Sequence, residues 1–428
     1  MKYDDFINLD YKPGPSDLIA LFRVEPSKGF NIYDASARVA AESSVGTWSE
    51  IKVDKFVSRI SAKVFMIKGK WVYIAYPIEL FEEGNMSQIL SSIAGNIFGM
   101  KAIKNIRLED VSWPIEVKKW FKGPRFGIKG VRDILRIYDR PILATVPKPK
   151  VGLTLDRYIE VASDIWRGGI DLVKDDENLT GQSFNKFEER LKKMLRLRDK
   201  IENETGERKG YLVNITAPYN EMVRRAKLVK DYNGEFIMID VLTTGFSSVQ
   251  SIVDDYSWDN GIAIHAHRAF HAAFTRNPRH GLSMKVIAEI FRILGVDHIH
   301  VGTVLGKLHS PYSEVRSLIA ICREEVVRES SRRKLLYNDW RNIKEIFPVS
   351  SGGLHPGLIP SILKIFEYDV IIQVGGGVAG HPDGFYSGAK AVRLTVDELI
   401  EGKTLDEIRS RYPVVDKALK TWGLKSPT

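Results

Sequence analysis

Short apolar runs recur along the second two-thirds of the chain, and each ends in glycine or polar residues. Eight of them have the length and β-branched content of buried strands: 142–146, 170–173, 212–216, 236–241, 263–266, 298–301, 347–349 and 370–374. Between most lie amphipathic stretches with helical spacing of apolar residues, as at 156–166, 185–203, 219–231 and 282–294. Strands alternating with helices of this length pair in parallel through crossovers. Eight such units predict closure into a (β/α)8 TIM barrel, whose chemistry sits at the C-terminal ends of its strands. An open doubly wound sheet is the alternative, weakened because no G-x-G-x-x-G follows the first strand.

Residues 1–122 have a different rhythm. Alternation at 18–24, 63–67 and 71–76 reads as antiparallel strands, and 32–41 and 86–98 read as helices. The fold class is therefore α/β, with an N-terminal α+β (ferredoxin-like) domain over 1–122. Gly123-Pro124 marks the boundary, and the barrel occupies 123–428, with short helices packed outside after Leu394.

Composition adds exclusions. A chain of 428 residues with 44% hydrophobic content is large enough for two cored domains. No apolar run approaches the roughly 20 residues that span a bilayer. The start, Met1-Lys-Tyr-Asp-Asp-Phe, lacks the apolar core of a secretory signal. Cys322 is the single cysteine and falls in a helical pattern, so no disulfide forms within the chain, and a cytoplasmic protein is expected. The net charge of +9 is spread widely. Its densest stretch, 323–334, reads as a solvated helix face, and no nucleic-acid motif accompanies it. A basic, non-catalytic scaffold would leave the residues described next without a purpose.

At the end of the first barrel strand, Lys148 and Lys150 flank Pro149, and extended residues two apart share a face. Crowded cations favour proton transfer or anion binding, although two solvated loop lysines would look the same. The second strand runs Gly168-Gly-Ile-Asp-Leu-Val-Lys-Asp-Asp-Glu and places Lys174 and Asp176 on one face, with Glu177 at the turn. Two carboxylates at a barrel mouth suit Mg²⁺. An ammonium cannot ligate it, so Lys174 would join only as a carbamate made with CO2; otherwise it is a salt-bridge partner. The fifth strand ends His265-Ala-His267-Arg268, with His271 a turn later, and the sixth runs His298-Ile-His300. His267 and His300 are read as functional; His265, His271 and His298 as structural. Lys307, bracketed by glycine in Gly302-Thr-Val-Leu-Gly-Lys, resembles the tip of a lid. Ser351-Gly352-Gly353 and Gln373-Val-Gly375-Gly376-Gly377 end the seventh and eighth strands, where backbone N–H groups cradle phosphate. With Arg268 and His300 as a second anionic anchor, a substrate with two phosphates is expected.

Together these residues resemble the large subunit of ribulose-1,5-bisphosphate carboxylase/oxygenase (RuBisCO), particularly its archaeal, form III type. The resemblance runs from about Phe22 to Gly402. Besides the segments above it is carried by Ala41-Glu-Ser-Ser-Val-Gly-Thr-Trp and Ser92-Ile-Ala-Gly-Asn-Ile-Phe-Gly. It implies a Mg-dependent lyase that adds CO2 to the enediolate of ribulose 1,5-bisphosphate and yields two 3-phosphoglycerates, with O2 competing. It also implies service in archaeal nucleotide (AMP) degradation. A RuBisCO-like protein limited to enolisation or isomerisation is the alternative, but such proteins lose several of these residues and this chain keeps them.

The resemblance assigns Mg²⁺ to carbamylated Lys174, Asp176 and Glu177. Lys148 becomes an acid/base at C2, His267 a base during hydration, and Lys307 a lid residue over the new carboxylate. Lys150 and Asn96 orient the intermediate. Arg268, His300 and Ser351 form one phosphate anchor; Gly353, Gly375 and Gly376 form the other with Thr47 and Trp48, and Gly352 and Gln373 also face substrate. Glu42, Thr47, Trp48 and Asn96 would complete a partner subunit's site, so a homodimer or an assembly of dimers is implied. Val146 stands where plant-type enzymes carry threonine, and His309 where many relatives carry glutamate. The longer plant-type tail is not expected.

Overall fold

The computed structural model describes residues 1–255, 261–307 and 310–425. In chain order the first strands are β1 (Leu18–Pro26), β2 (Lys63–Lys68), β3 (Trp71–Tyr76), β4 (Ile103–Ser112), β5 (Ile142–Thr145), β6 (Leu172–Lys174), β7 (Gly210–Asn214) and β8 (Phe236–Asp240). They are followed by β9 (Ala263–His267), β10 (Gly281–Leu282), β11 (His298–His300), β12 (Val326–Val327), β13 (Asn338–Asp339), β14 (Phe347–Ser351) and β15 (Ile371–Gln373). Two compact units share them, and neither is continuous in sequence. One comprises Met1–Gly123, Phe270–Leu294 and Glu324–Ile343; the other Pro124–Ala269, Gly295–Arg323 and Lys344–Thr428. Among the described residues, no helix is long and apolar enough to cross a membrane.

The first unit is built on a five-stranded sheet in the order β10-β4-β1-β3-β2. β1 pairs antiparallel with β3 and β4, and only the short β10 runs parallel to its neighbour. The helix Ile32–Glu42 starts where the Asn31 side chain accepts from the Tyr33 and Asp34 amides. The helix expected over 86–98 stops at Ala94, and the backbone turns at Gly95 so close to Ser91 that an added Cβ would lie 2.2 Å from its carbonyl. It re-forms as the tight turn Asn96–Gly99.

Sequence patterning missed β4. Its apolar residues Ile106, Leu108 and Val111 are interrupted by Arg107, Glu109 and Asp110, and all six are buried. Arg107 and Glu109 neutralise one another at 3.1 Å, which lets charge lie in a strand where polarity would otherwise signal a loop. The stretch 323–334 is not a helix face. The helix ends at Arg323, and β-branched Val326–Val327 pair antiparallel with Asn338–Asp339. Asn338 holds that ribbon by accepting from the Trp113 amide and donating to the Val111 carbonyl, both at 2.8 Å.

The second unit is a closed barrel of eight parallel strands, in the order β11-β14-β15-β5-β6-β7-β8-β9. Closure rules out the open doubly wound sheet. All eight strands lie where the apolar runs placed them, within about two residues at each end. The first residues of six of them, Ile142, Leu172, Phe236, Ala263, Phe347 and Ile371, form one cluster with Ile128, Val131 and Leu135 of the helix Gly127–Leu135. That helix therefore packs on the N-terminal end of the barrel. Buried Asp297 fixes its start by accepting from the Phe126 and Gly127 amides, each at 2.9 Å.

Asp175 faces away from the barrel interior. Its carboxylate accepts from the Tyr158 and Tyr211 hydroxyls (both 2.7 Å), the Asn214 amide (3.0 Å) and the Arg190 guanidinium (3.1 Å). Both Asp175 and Arg190 side chains have 0% exposure. Replacing Asp175 with alanine leaves that guanidinium buried and unpaired, so it should destabilise the chain by ~3–5 kcal/mol. Denaturant unfolding measures this, and a loss within about 0.5 kcal/mol would refute the assignment.

In the first unit, Asp110 and Glu289 are fully buried side by side, with the Trp113 indole donating to Glu289 at 3.1 Å and Lys285 3.9 Å from Asp110. Burial pushes both carboxyls above their usual range. The folded state thus holds protons that the unfolded chain releases, and stability falls as pH rises past the ordinary carboxylate range. Asp110→Asn should flatten the pH dependence of the thermal midpoint between about pH 4 and pH 6; a slope equal to wild type would contradict this.

Candidate active site

The alternation of side chains along each barrel strand, together with the polar residues that end them, gathers most of the candidate residues at one mouth. On β6 the outward anchoring of Asp175 turns Lys174 and Asp176 inward. Lys174 is fully buried and donates to the Asp175 carbonyl at 2.7 Å. Burial pulls its ammonium below the usual lysine value, against the opposing pull of Glu177, Asp240, Asp176 and Asp175. From the loop after β5, Lys148 reaches Asp176 at 2.8 Å and Lys150 reaches Glu177 at 3.1 Å. Asn178 steadies the other Asp176 oxygen at 3.0 Å. Burial alone would raise Glu177, but the Lys174 ammonium, a backbone hydrogen bond and the bond from Lys150 hold it below the carboxylate range.

β9 and β8 meet at His267 and Asp240, whose Nδ1 and Oδ1 are 2.9 Å apart. Burial and the Lys174 charge keep His267 below its usual value, with Asp240 opposing them. A neutral ring facing a carboxylate through Nδ1 carries its proton there, which leaves the Nε2 lone pair free, 3.7 Å from Glu177. Asp240 is thus the residue that sequence reading overlooked. The signal was present: it ends the apolar run Phe236-Ile-Met-Ile as Lys174 ends its own.

His300, on β11, contacts Ser351 of β14 at 2.8 Å and His265 at 2.9 Å. His265 continues to His298 at 3.3 Å, so these two line the core as expected. His271 bonds Thr275 at 2.9 Å and belongs to the first unit. Arg268 is buried, and burial lowers it to about 10. Its guanidinium lies beside Gly302, where an added Cβ would be 3.1 Å from Nη2. Among the described residues no carboxylate is hydrogen-bonded to it, and Glu314 supplies the charge that opposes the burial; a desolvated cation so placed suits an external anion.

Gly352 and Gly353 have φ of +109° and +88°, the left-handed region that other residues avoid. The Gly352 carbonyl accepts from the Lys307 amide at 2.9 Å. A side chain on Gly306 would strike that carbonyl at 1.9 Å, so the approach requires glycine. The Lys307 side chain is exposed; Leu308 and His309 lie outside the described residues. A side chain at Gly375 would come within 3.6 Å of Lys148, whereas Gly376 faces open space. Gln373 carries a buried Oε1 without a partner among the described residues. Val146, just beyond β5, is buried.

Glu42, Thr47, Trp48 and Asn96 belong to the first unit. Asn96 donates to Glu42 at 3.1 Å. Thr47 and Trp48 follow on one loop, and Trp48 is 85% exposed, unusual for an indole.

The adjacent carboxylates of Asp176 and Glu177 are the donor type that a divalent metal takes. Among the described residues, no group of three or more His, Cys, Asp or Glu is arranged to hold one. Asp176 and Glu177 supply two oxygen-bearing groups, and the neighbouring third side chain is Lys174. The donor set fits magnesium once Lys174 bears oxygen. A cavity of 510 Å³ lined by Arg140, Asp171, Arg208 and Arg393 lies elsewhere, beside the N-terminal ends of β5, β6 and β7, the face of such barrels that carries stability rather than chemistry.

Residues 127–422 match the ribulose bisphosphate carboxylase large chain catalytic domain, and residues 5–117 match its N-terminal domain. The chain is 48% identical over 430 residues to the ribulose bisphosphate carboxylase of Pyrococcus furiosus, covering 99% of both. It is 48% identical over 433 residues to that of Methanocaldococcus jannaschii, covering 98% of this chain and all of the relative. The dimeric archaeal Rubisco of Hyperthermus butylicus superposes with a TM-score of 0.93 at 49% identity, over 99% of each chain. The octameric enzyme of Pyrococcus horikoshii OT3 gives 0.91 at 46%, over 99% of this chain and 97% of the other. With both domains matched and these relatives aligned end to end, the chain belongs to the ribulose bisphosphate carboxylase large chain family.

Proposed function

We propose that this protein is a ribulose-bisphosphate carboxylase that converts ribulose 1,5-bisphosphate, CO2 and water into two 3-phosphoglycerates, with O2 as a competing substrate. The observation that carries the proposal is the cluster of Lys174, Asp176 and Glu177 facing Lys148, Lys150 and His267 at the mouth of this family's barrel. The buried Lys174 ammonium, pulled below its usual pKa, first gives up a proton; the neutral amine then attacks CO2, an N–C bond forms and a second proton leaves, so that a cation becomes an anion. In that form Lys174 would hold magnesium with Asp176 and Glu177. When bound, the metal would polarise the substrate's C2 carbonyl and C3 hydroxyl and stabilise the negative charge arising at C3 deprotonation.

The chain's own groups do the rest. The Lys174 carbamate takes the C3 proton, and CO2 adds at C2 of the enediolate. His267, its Nε2 left free by Asp240, acts as base while water adds at C3. After the C2–C3 bond breaks, Lys148 delivers a proton to C2. Lys150 and Asn96 orient the intermediate, and Lys307 closes over the new carboxylate. Arg268, His300 and Ser351 bind one phosphate. The amides around Gly352, Gly353, Gly375 and Gly376 bind the other, next to Gln373. Glu42, Thr47, Trp48 and Asn96 of a second copy complete the site, and the exposed Trp48 indole supports that reading. The homodimer is then the smallest active unit, working in the cytoplasm on pentose released by nucleotide breakdown.

Fixation of labelled CO2 after preincubation with bicarbonate and Mg²⁺ tests the proposal. Lys174→Ala should lose at least about a hundredfold in rate. Equal rates, or a wild type that binds the bisphosphate without fixing CO2, would overturn it; the second outcome would mark an enolase or isomerase. Arg268→Ala removes a charge-assisted phosphate contact and should raise the KM for the bisphosphate about tenfold or more. An unchanged KM in the same assay would remove Arg268 from the anchor.

A further inference from the structure

The loops after β14 and β15, assigned above to one phosphate, are tied to the C-terminal end of the chain. His355 follows Gly352-Gly353 and is buried. Its Nε2 lies 3.0 Å from the Lys425 carbonyl. A carbonyl only accepts, so Nε2 carries the proton, and Nδ1 is left buried without a partner among the described residues. The same ring stacks on Trp422, with centroids 5.8 Å apart and planes at 30°. Trp422 ends the helix Pro413–Trp422.

The glycines nearby record how closely these parts approach. An added Cβ on Gly357 would lie 2.1 Å from the Gly423 carbonyl, and one on Gly380 would lie 3.4 Å from the Trp422 ring. One on Gly377 would lie 2.4 Å from the Leu354 carbonyl and 2.7 Å from His355 Cα. Beyond β15, His381 Nε2 meets the Val414 carbonyl at 2.9 Å and Lys417 pairs with Asp383 at 2.7 Å. Both glycine loops thus share one brace, formed by the helix Pro413–Trp422 and residues 423–425. Backbone N–H groups bind an anion tightly only when their positions are fixed before it arrives. Without the brace, positive-φ glycines such as Gly352 and Gly353 have many conformations open to them.

We infer that His355 and Trp422 are positioning residues, which hold the two glycine loops in register to receive one phosphate of the substrate. This rests on the function proposed above, but it has a readout independent of turnover. In Trp422→Ala, the amides of 352–358 and 375–380 should exchange hydrogen faster, while those of β6 to β9 stay as in wild type. The KM for the bisphosphate should rise about tenfold with kcat within about twofold, and Trp422→Phe should restore most of it. A chain ending at Gly423 keeps the helix and loses the Lys425 carbonyl, so it tests the brace should the tryptophan variant not fold. It should show the same loop-specific exchange and a smaller rise in KM. Unchanged exchange in both loops, or a fall in kcat at constant KM, would overturn the inference. A wild type that fixes no CO2 would instead sink the proposed function and leave the exchange result to decide the brace.

Discussion

Five hydrogen bonds on Asp175, two from tyrosine hydroxyls, two from Arg190 and one from the Asn214 amide, determine which way the end of β6 faces. Successive side chains of an extended segment point to opposite sides. Holding Asp175 outward therefore sends Lys174 and Asp176 together into the mouth. Were the segment to slip by one residue, Asp175 would enter the site and Lys174 would meet Arg190. The anchor is expensive, since charge is buried on both sides, and it is retained where a single register is required.

Inside the mouth the charges are sorted. Near β6 and β8 the carboxylates Asp176, Glu177 and Asp240 face Lys148, Lys150, Lys174 and the neutral His267. Toward β11 and β14 the groups are Arg268, His300, Ser351 and the glycine amides, which offer donors and a buried guanidinium. A long substrate with anionic ends and a polarisable centre matches that division. The asymmetry also orients the histidines: Asp240 fixes the tautomer of His267, whereas His300 lies between His265 and Ser351 and is driven toward neutrality first by burial.

Much of this was legible in the sequence, for reasons particular to barrels. A strand buried on both faces must be an apolar run, and a functional one must end in polarity, so β5, β6, β9 and β11 announce both fold and site. β4 hid because its charges satisfy one another. Asp240 hid because a single aspartate after an apolar run is also an ordinary turn residue. Glu42 and Asn96 carry no periodic signal and were reached only through the family. The pairing of His355 with the tail spans 70 positions, and neither residue's neighbourhood hints at the other. Local pattern encodes what an element buries; contacts between distant ends are encoded only in the folded packing.

The choice of lysine at position 174 follows from the same electrostatics. A permanent carboxylate there would place a third negative charge in a fully buried position beside Asp176 and Glu177, and like charges that close cannot all stay ionised without a counter-ion. Before any metal arrives, such a site would either take up protons or open. A lysine reverses the balance, because its ammonium is attracted to Glu177, Asp240, Asp176 and Asp175, and the resting site stands near neutrality. Burial then lowers the cost of losing that proton, so a neutral, nucleophilic amine is accessible without loss of the fold. On the proposed reading the negative charge appears only when CO2 is present to create it and a metal is present to balance it, which makes assembly of the site conditional on the gas that its reaction consumes.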